Sequence, residues 1–190
     1  MRQIILASAS PRRRELLTQI GLDFTVIPAV GEEKAAKKVP SEMVEELSLE
    51  KAKEVAAQVT DGIIIGADTV VCQNGAIMGK PKDEEDAKQM LKALQGEMHS
   101  VFTGVTFLVM ENGTEVARHT FSQETRVYLY EMTDEEIQAY IATGEPMDKA
   151  GAYAIQGRFA AYVEGIEGDY NNVVGLPVSA LWQELKEYCV

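Results

Sequence analysis

Apolar and polar positions follow two periods along this chain, and the switches between them mark its elements. Ile4-Ile5-Leu6 is an unbroken apolar run, the mark of a strand buried on both faces. Ser10 and Pro11 then supply an N-cap and a first helical residue for a helix over 11–20, which Gly21 stops. Asp23 to Val30 reads as a strand. From Ser41 to Val59 apolar residues recur at helical spacing, Met43, Val44, Leu47, Leu49, Val55 and Val59 among them, so a long amphipathic helix is expected. Ile63 to Val71 reads as a buried strand that ends in the polar pair Asp68-Thr69 and resumes. Asp83 starts a helix that Gly96 ends. Val101 to Met110 and Thr114 to Tyr130 are long strands joined at Asn112-Gly113, a strong hairpin turn pair. Thr133 with Glu136 forms a capping box for a helix reaching Thr143. Ala150 to Ile155 and Ala160 to Ile166 are strand-like, and Pro177 opens a last helix. Strands and helices mix around a long hairpin, so the fold class is α/β with a mixed sheet and not a clean doubly wound one.

Composition narrows the function. The 190 residues suffice for one sizeable core or two lobes sharing one sheet, and an apolar share of 46% is ordinary for a globular chain. The net charge of −12 disfavours a nucleic-acid partner. Residues 127–190 hold three basic and eleven acidic residues, so the cations concentrate earlier, around Arg12-Arg13-Arg14, Lys51, Lys53, Lys80 and Lys82. A local basic cluster on an acidic protein suits a small anionic ligand better than a polymer. No apolar run approaches the ~18 residues of a membrane span. Cys72 and Cys189 form no CxxC, and with no leader read at the start, reduced thiols in the cytoplasm are expected. His99 and His119 are the only histidines and make no zinc motif, so any metal is held by carboxylates and phosphates, which points to Mg²⁺ or Mn²⁺.

The candidate chemistry lies in short polar stretches. Three arginines in the first helical turn have the wrong sign for the helix dipole, and a bound polyanion at that N-terminus would correct it. A solvated basic face is the alternative. Asp68, directly after the most apolar run, reads as a carboxylate at a strand end carrying chemistry or as a turn residue. Lys80 in Gly79-Lys80-Pro81 is a phosphate contact or a surface lysine, and the stretch before it is too short for a Walker A loop. Glu32-Glu33 is a metal-holding pair or a solvated one, and Lys51 sits on the long helix, where Glu50 and Glu54 are placed to pair with its neighbours. Gln156 closes an apolar run, where its amide caps a strand or reads a base edge.

Six motifs occur in order at compatible spacing: Ser8-Ala-Ser-Pro-Arg-Arg13, Gly66-Ala-Asp-Thr-Val70, Gly79-Lys-Pro81, Thr103-Gly104-Val105, Asp148-Lys-Ala-Gly-Ala-Tyr-Ala-Ile-Gln-Gly157 and Gly168-Asp-Tyr-Asn-Asn-Val-Val-Gly-Leu-Pro177. Together they resemble the Maf family of nucleoside triphosphate pyrophosphatases. The resemblance implies one domain over 1–190 with an inosine triphosphate pyrophosphatase-like fold: a twisted mixed sheet flanked by helices, with two lobes around a central cleft. It implies Asp68 as general base. It places Ser8, Arg12, Arg13, Lys51 and Lys80 on the phosphates, and Glu33 with Asp68 on a divalent cation. Arg12, Thr69 and Gln156 resemble the combination of the branch acting on dTTP and UTP. The implied partner is a small nucleotide, without nucleic acid or membrane, and with room for a homodimer. The family's historical name, from inhibition of septum formation, keeps a nucleotide-sensing regulator without turnover as the alternative.

Overall fold

The computed structural model describes residues 2–189. In chain order the elements are β1 (Ile4–Leu6), α1 (Pro11–Gln19), β2 (Phe24–Val26), α2 (Pro40–Ala56), β3 (Gly62–Gln73), β4 (Ala76–Met78), α3 (Glu84–Leu94), β5 (Met98–Glu111), β6 (Thr114–Leu129), α4 (Asp134–Ile141), β7 (Val163–Glu167), α5 (Tyr170–Val174) and α6 (Val178–Leu185). Seven strands form one mixed sheet in the order β2-β1-β3-β5-β6-β7, with β4 paired to β3. β1 is parallel to both neighbours, Ile4 facing Phe24 on β2 and Ile63 on β3. β4 and β7 pair antiparallel, and a register shift interrupts β6–β7 between Tyr128 and Leu129. Among the described residues no helix is long and apolar enough to cross a membrane.

The chain divides into two compact units. The first takes in the chain through Asp68, Thr103–Gln123 and the chain from Gly175. Its β1 side chains are all buried, as the apolar run predicts. Ile5, Ala7, Ala52, Val55, Ile64, Leu108 and Met110 pack into one cluster. Helix α2 lies unusually close to the sheet because two glycines remove the side chains in its way. A Cβ on Gly104 would stand 2.2 Å from the Val44 carbonyl oxygen, and one on Gly66 would stand 2.3 Å from that of Ser48. The hydroxyls at this contact, Ser48 and Thr106 buried and Thr120 half-buried, form a relay. Thr120 lies 2.9 Å from Thr106, Thr106 lies 2.9 Å from Ser48, and Ser48 donates to the Glu45 carbonyl. Each hydroxyl then donates once, so the helix seats on the strands with these polar groups satisfied.

The second unit comprises Thr69–Phe102 and Glu124–Val174. Asp83 caps α3 through its side chain, and the Thr133–Glu136 capping box on α4 has both its hydrogen bonds. An aromatic group lies within its otherwise aliphatic interior. Phe159 packs at ring-centroid distances of 4.8 Å from Tyr153 and 5.0 Å from Tyr140.

Four sequence expectations need correction. Residues 150–155 are not a strand: Gly151 and Ala152 take positive φ of 69° and 59°, which breaks extended backbone. The run is apolar because it is buried, Gly151 through Ile155 all lying in the interior. Residues 158–162 are a 3₁₀ turn, so the next strand begins only at Val163. β2 is three residues long, although Ile27 still donates to the Leu6 carbonyl beyond it. β3 runs unbroken through Asp68 and Thr69, because Asp68 finds a cationic partner that makes a buried mid-strand carboxylate tolerable.

Candidate active site

The β1–α1 connection begins the site in the first unit. Pro11 opens α1 and Ser10 is its N-cap residue, but the Ser10 side chain makes no capping bond. Its backbone N–H instead donates to Ser8 Oγ at 3.3 Å. Ser8 is buried, and its Oγ also accepts from Arg13 Nη1 at 3.1 Å. Arg13 Nε donates to the Gly175 carbonyl at 2.8 Å, so the guanidinium is held at two points. Burial pulls the Arg13 pKa below its ordinary value; Asp68 and Glu33 oppose that shift and the neighbouring Arg12 charge adds to it. Arg13 is thus a partly desolvated cation within the field of two carboxylates and a second arginine.

Lys51 completes the cluster. The close approach of α2 at Gly66, two residues before Asp68, brings the helix backbone onto β3. Lys51 Nζ lies 2.6 Å from Asp68 Oδ1 and 2.8 Å from Glu33 Oε1. The Asp68 and Lys51 side chains are 10% and 17% exposed, so this contact is sheltered from solvent screening. Glu33 stands on the irregular segment between β2 and α2. Two further α2 carboxylates hold that segment by its backbone. Glu54 Oε1 accepts from Val30 N at 2.8 Å, and both Glu54 oxygens accept from Gly31 N. Glu46 Oε2 accepts from Ala36 N at 2.9 Å and Lys37 N at 3.0 Å. Glu54 was expected to pair with lysines along the helix; the unpaired loop N–H groups win it instead. Nothing in the local sequence signalled either contact except Gly31, where a Cβ would lie 2.7 Å from Glu54 Oε2.

Ser8, Arg12, Arg13, Glu33, Lys51 and Asp68 therefore meet in one unit. Thr69, Lys80 and Gln156 belong to the other. Thr69 is half-buried on β3. Lys80 is exposed just after β4, and the preceding Gly79 carbonyl accepts from Gly151 N at 3.1 Å. Gln156 is half-buried between two short 3₁₀ turns.

Among the described residues no group of three or more His, Cys, Asp or Glu side chains could hold a metal by itself. Glu33 and Asp68 nonetheless converge on one cation, the Lys51 ammonium, and offer hard oxygen donors. That donor set fits Mg²⁺ or Mn²⁺ in the usual mode, in which one or two carboxylates act with substrate phosphates.

A family model described as Maf-like protein matches residues 3–188. The chain belongs to the Maf family. This Maf chain is 54% identical to an Agathobacter rectalis protein named dTTP/UTP pyrophosphatase, with 98% of each chain covered. It is 50% identical to a Lachnoclostridium phytofermentans protein of the same name, over 99% of this chain and 96% of that one. Among solved structures it is similar to the Staphylococcus aureus Ham1 protein, with a TM-score of 0.57 and 13% identity over 98% of this chain and 100% of that one. That likeness concerns the fold alone, and it agrees with the mixed sheet flanked by helices that the resemblance implied.

Proposed function

We propose that this Maf protein hydrolyses dTTP and UTP between the α and β phosphates, giving the nucleoside monophosphate and pyrophosphate. The observation that carries this reading is the Lys51 ammonium bridging Asp68 and Glu33 beside the Ser8–Arg13 pair. The names of relatives at about half identity supply the substrate class.

In this reading Asp68 takes the proton of the attacking water. An ionised carboxylate has about four acceptor positions, and Lys51 fills one of them. As the water oxygen bonds to the α-phosphorus, the bond to the bridging oxygen breaks and pyrophosphate leaves with the electron pair. Arg12, Arg13, Lys51 and Lys80 hold the phosphates and balance the charge that grows on the leaving group. Ser8, already fixed by Arg13, orients the phosphate end. Glu33 and Asp68 would hold a divalent cation, which supplies Lewis-acid polarisation of phosphate oxygens when bound. Arg12, Thr69 and Gln156 select the base. The two units work as one functional domain, supported by the single family match across both. Two free thiols support a cytoplasmic setting.

Incubation with UTP and Mg²⁺, followed by ³¹P NMR, tests the reaction. UMP and pyrophosphate are expected, and EDTA stops their appearance. Orthophosphate with UDP places cleavage at the wrong bond and refutes the proposal.

A further inference from the structure

Resting on the reading that Gln156 selects the base, we propose that Glu145 is the positioning residue for that selection, clamping the 154–158 segment from which Gln156 projects. The carboxylate reaches both flanks of the glutamine. Glu145 Oε1 accepts from Tyr140 Oη at 3.0 Å, and the same hydroxyl accepts from Ala154 N at 3.3 Å, two residues before Gln156. Glu145 Oε2 accepts from Arg158 N at 3.4 Å, two residues after it. Between them Gly157 adopts φ 85° and ψ −151°, a region open essentially to glycine. A Cβ there would lie 2.8 and 2.9 Å from the two Glu145 oxygens, so the carboxylate lies directly on the Gly157 backbone.

Glu145 is itself tied down. Its N–H donates to Thr143 Oγ1 at 3.1 Å, and its carbonyl accepts from Lys149 Nζ at 2.8 Å. Burial and then the Glu145 charge raise the Tyr140 pKa, so the phenol keeps its proton and remains a donor to the carboxylate.

The clamp matters because a glutamine amide is symmetric in shape and opposite in hydrogen-bonding sense at its two ends. Uracil and thymine present N3–H beside the O4 acceptor, and cytosine presents the reverse. A glutamine on a loose loop accommodates either pattern by flipping. A glutamine on a backbone fixed at both sides is restricted to fewer poses, and discrimination follows.

The test measures kcat and KM for UTP and CTP in wild type, Gln156→Ala, Glu145→Gln, Tyr140→Phe and the Glu145→Gln/Gln156→Ala double variant. Glu145→Gln sets an NH₂ donor against the Arg158 N–H, or makes the Tyr140 hydroxyl accept where it donated, in competition with Ala154 N. It is expected to compress the UTP-to-CTP ratio of kcat/KM by about 5- to 20-fold. The change should fall mainly on KM for UTP. In the Gln156→Ala background the same substitution should leave the ratio where Gln156→Ala put it. Tyr140→Phe removes the link to Ala154 and should move the ratio the same way by a smaller factor; it carries the test alone if Glu145→Gln does not fold. Equal losses for UTP and CTP, or the same Glu145→Gln effect with and without Gln156, overturn the inference and leave base reading by Gln156 intact. An unchanged ratio in Gln156→Ala refutes base reading itself, and the inference with it.

Discussion

Gly104→Ala adds one methyl group where the structure leaves no room for it. The new Cβ would stand 2.2 Å from the Val44 carbonyl oxygen, 2.3 Å from the Val44 carbonyl carbon and 2.6 Å from Glu45 N. All three are backbone atoms of α2, so no rotamer change relieves them. Non-bonded carbon contacts settle near 3.5 Å, so α2 must retreat from β5 by about 1 Å. Overpacking of this kind costs about 1–3 kcal/mol. The retreat also stretches the 2.9 Å Ser48–Thr106 contact and leaves buried hydroxyls poorly paired, for about 1–3 kcal/mol more. Alanine returns about 0.5–1 kcal/mol through a stiffer unfolded chain. A net loss of about 3 kcal/mol lowers Tm by roughly 6–12 °C in a chain of this size. The same helix carries Lys51, and its 2.6 Å contact with Asp68 cannot survive such a shift unchanged. Misplacement by about 1 Å costs on the order of 10²-fold in rate, so kcat should fall by up to that factor in the folded fraction. Urea unfolding followed through Trp182 fluorescence, with pyrophosphate release at 20 °C, reads both effects. Gly165→Ala on β7 is the control, because a Cβ there meets nothing within 4 Å. A Gly104→Ala protein within about 0.5 kcal/mol of wild type would refute the seating of α2 on β5. A destabilised protein with unchanged kcat would refute the positioning of Lys51 by that seating.

Further outcomes follow from the same geometry. Asp68→Asn keeps the shape but cannot take a proton, so under the proposed mechanism kcat should fall by ~10²–10⁴-fold while nucleotide binding, read by calorimetry, persists. Near wild-type kcat would make Asp68 structural. Gln156→Glu loses the amide donor and sets a charge against O4. It should reduce kcat/KM for UTP and dTTP by about 5- to 150-fold relative to GTP; an unchanged ratio would remove Gln156 from base selection. His99 is buried with Nε2 2.7 Å from Tyr153 Oη, and desolvation lowers its pKa from 6.5 to about 4. The unfolded chain therefore binds the proton first, and stability present above pH 6.5 is lost as pH falls toward 4. Between pH 7.5 and 4.5 wild type should lose about 2–3 kcal/mol more than His99→Gln in urea unfolding; parallel losses would mean that His99 does not titrate on unfolding.

Local signals determined the local structure of this protein. Asn112-Gly113 has φ of 51° and 75°, as a two-residue hairpin turn requires. Thr133 and Glu136 cap α4, and Asp83 caps α3, because each bond closes within three residues. Ile4-Ile5-Leu6 reads as a doubly buried strand because burial on both faces demands an unbroken apolar run. The motifs also named the family and the residues that carry charge, through resemblance and not through spacing. What these residues touch was decided elsewhere. The Arg13–Gly175 bond spans 162 positions, and Ser48 meets Thr106 across 58. Glu54 looked like a helix-pair carboxylate and became the anchor of the Glu33 loop, because unpaired backbone N–H groups compete for it only once the loop folds over α2. Residues 150–155 carry a strand's composition without its dihedrals, since burial selects apolar side chains whatever the backbone does. Gly66 and Gly104 look like ordinary strand glycines in the sequence. Only the tertiary structure gives them their role, because a missing Cβ acquires meaning from the helix backbone that fills its place.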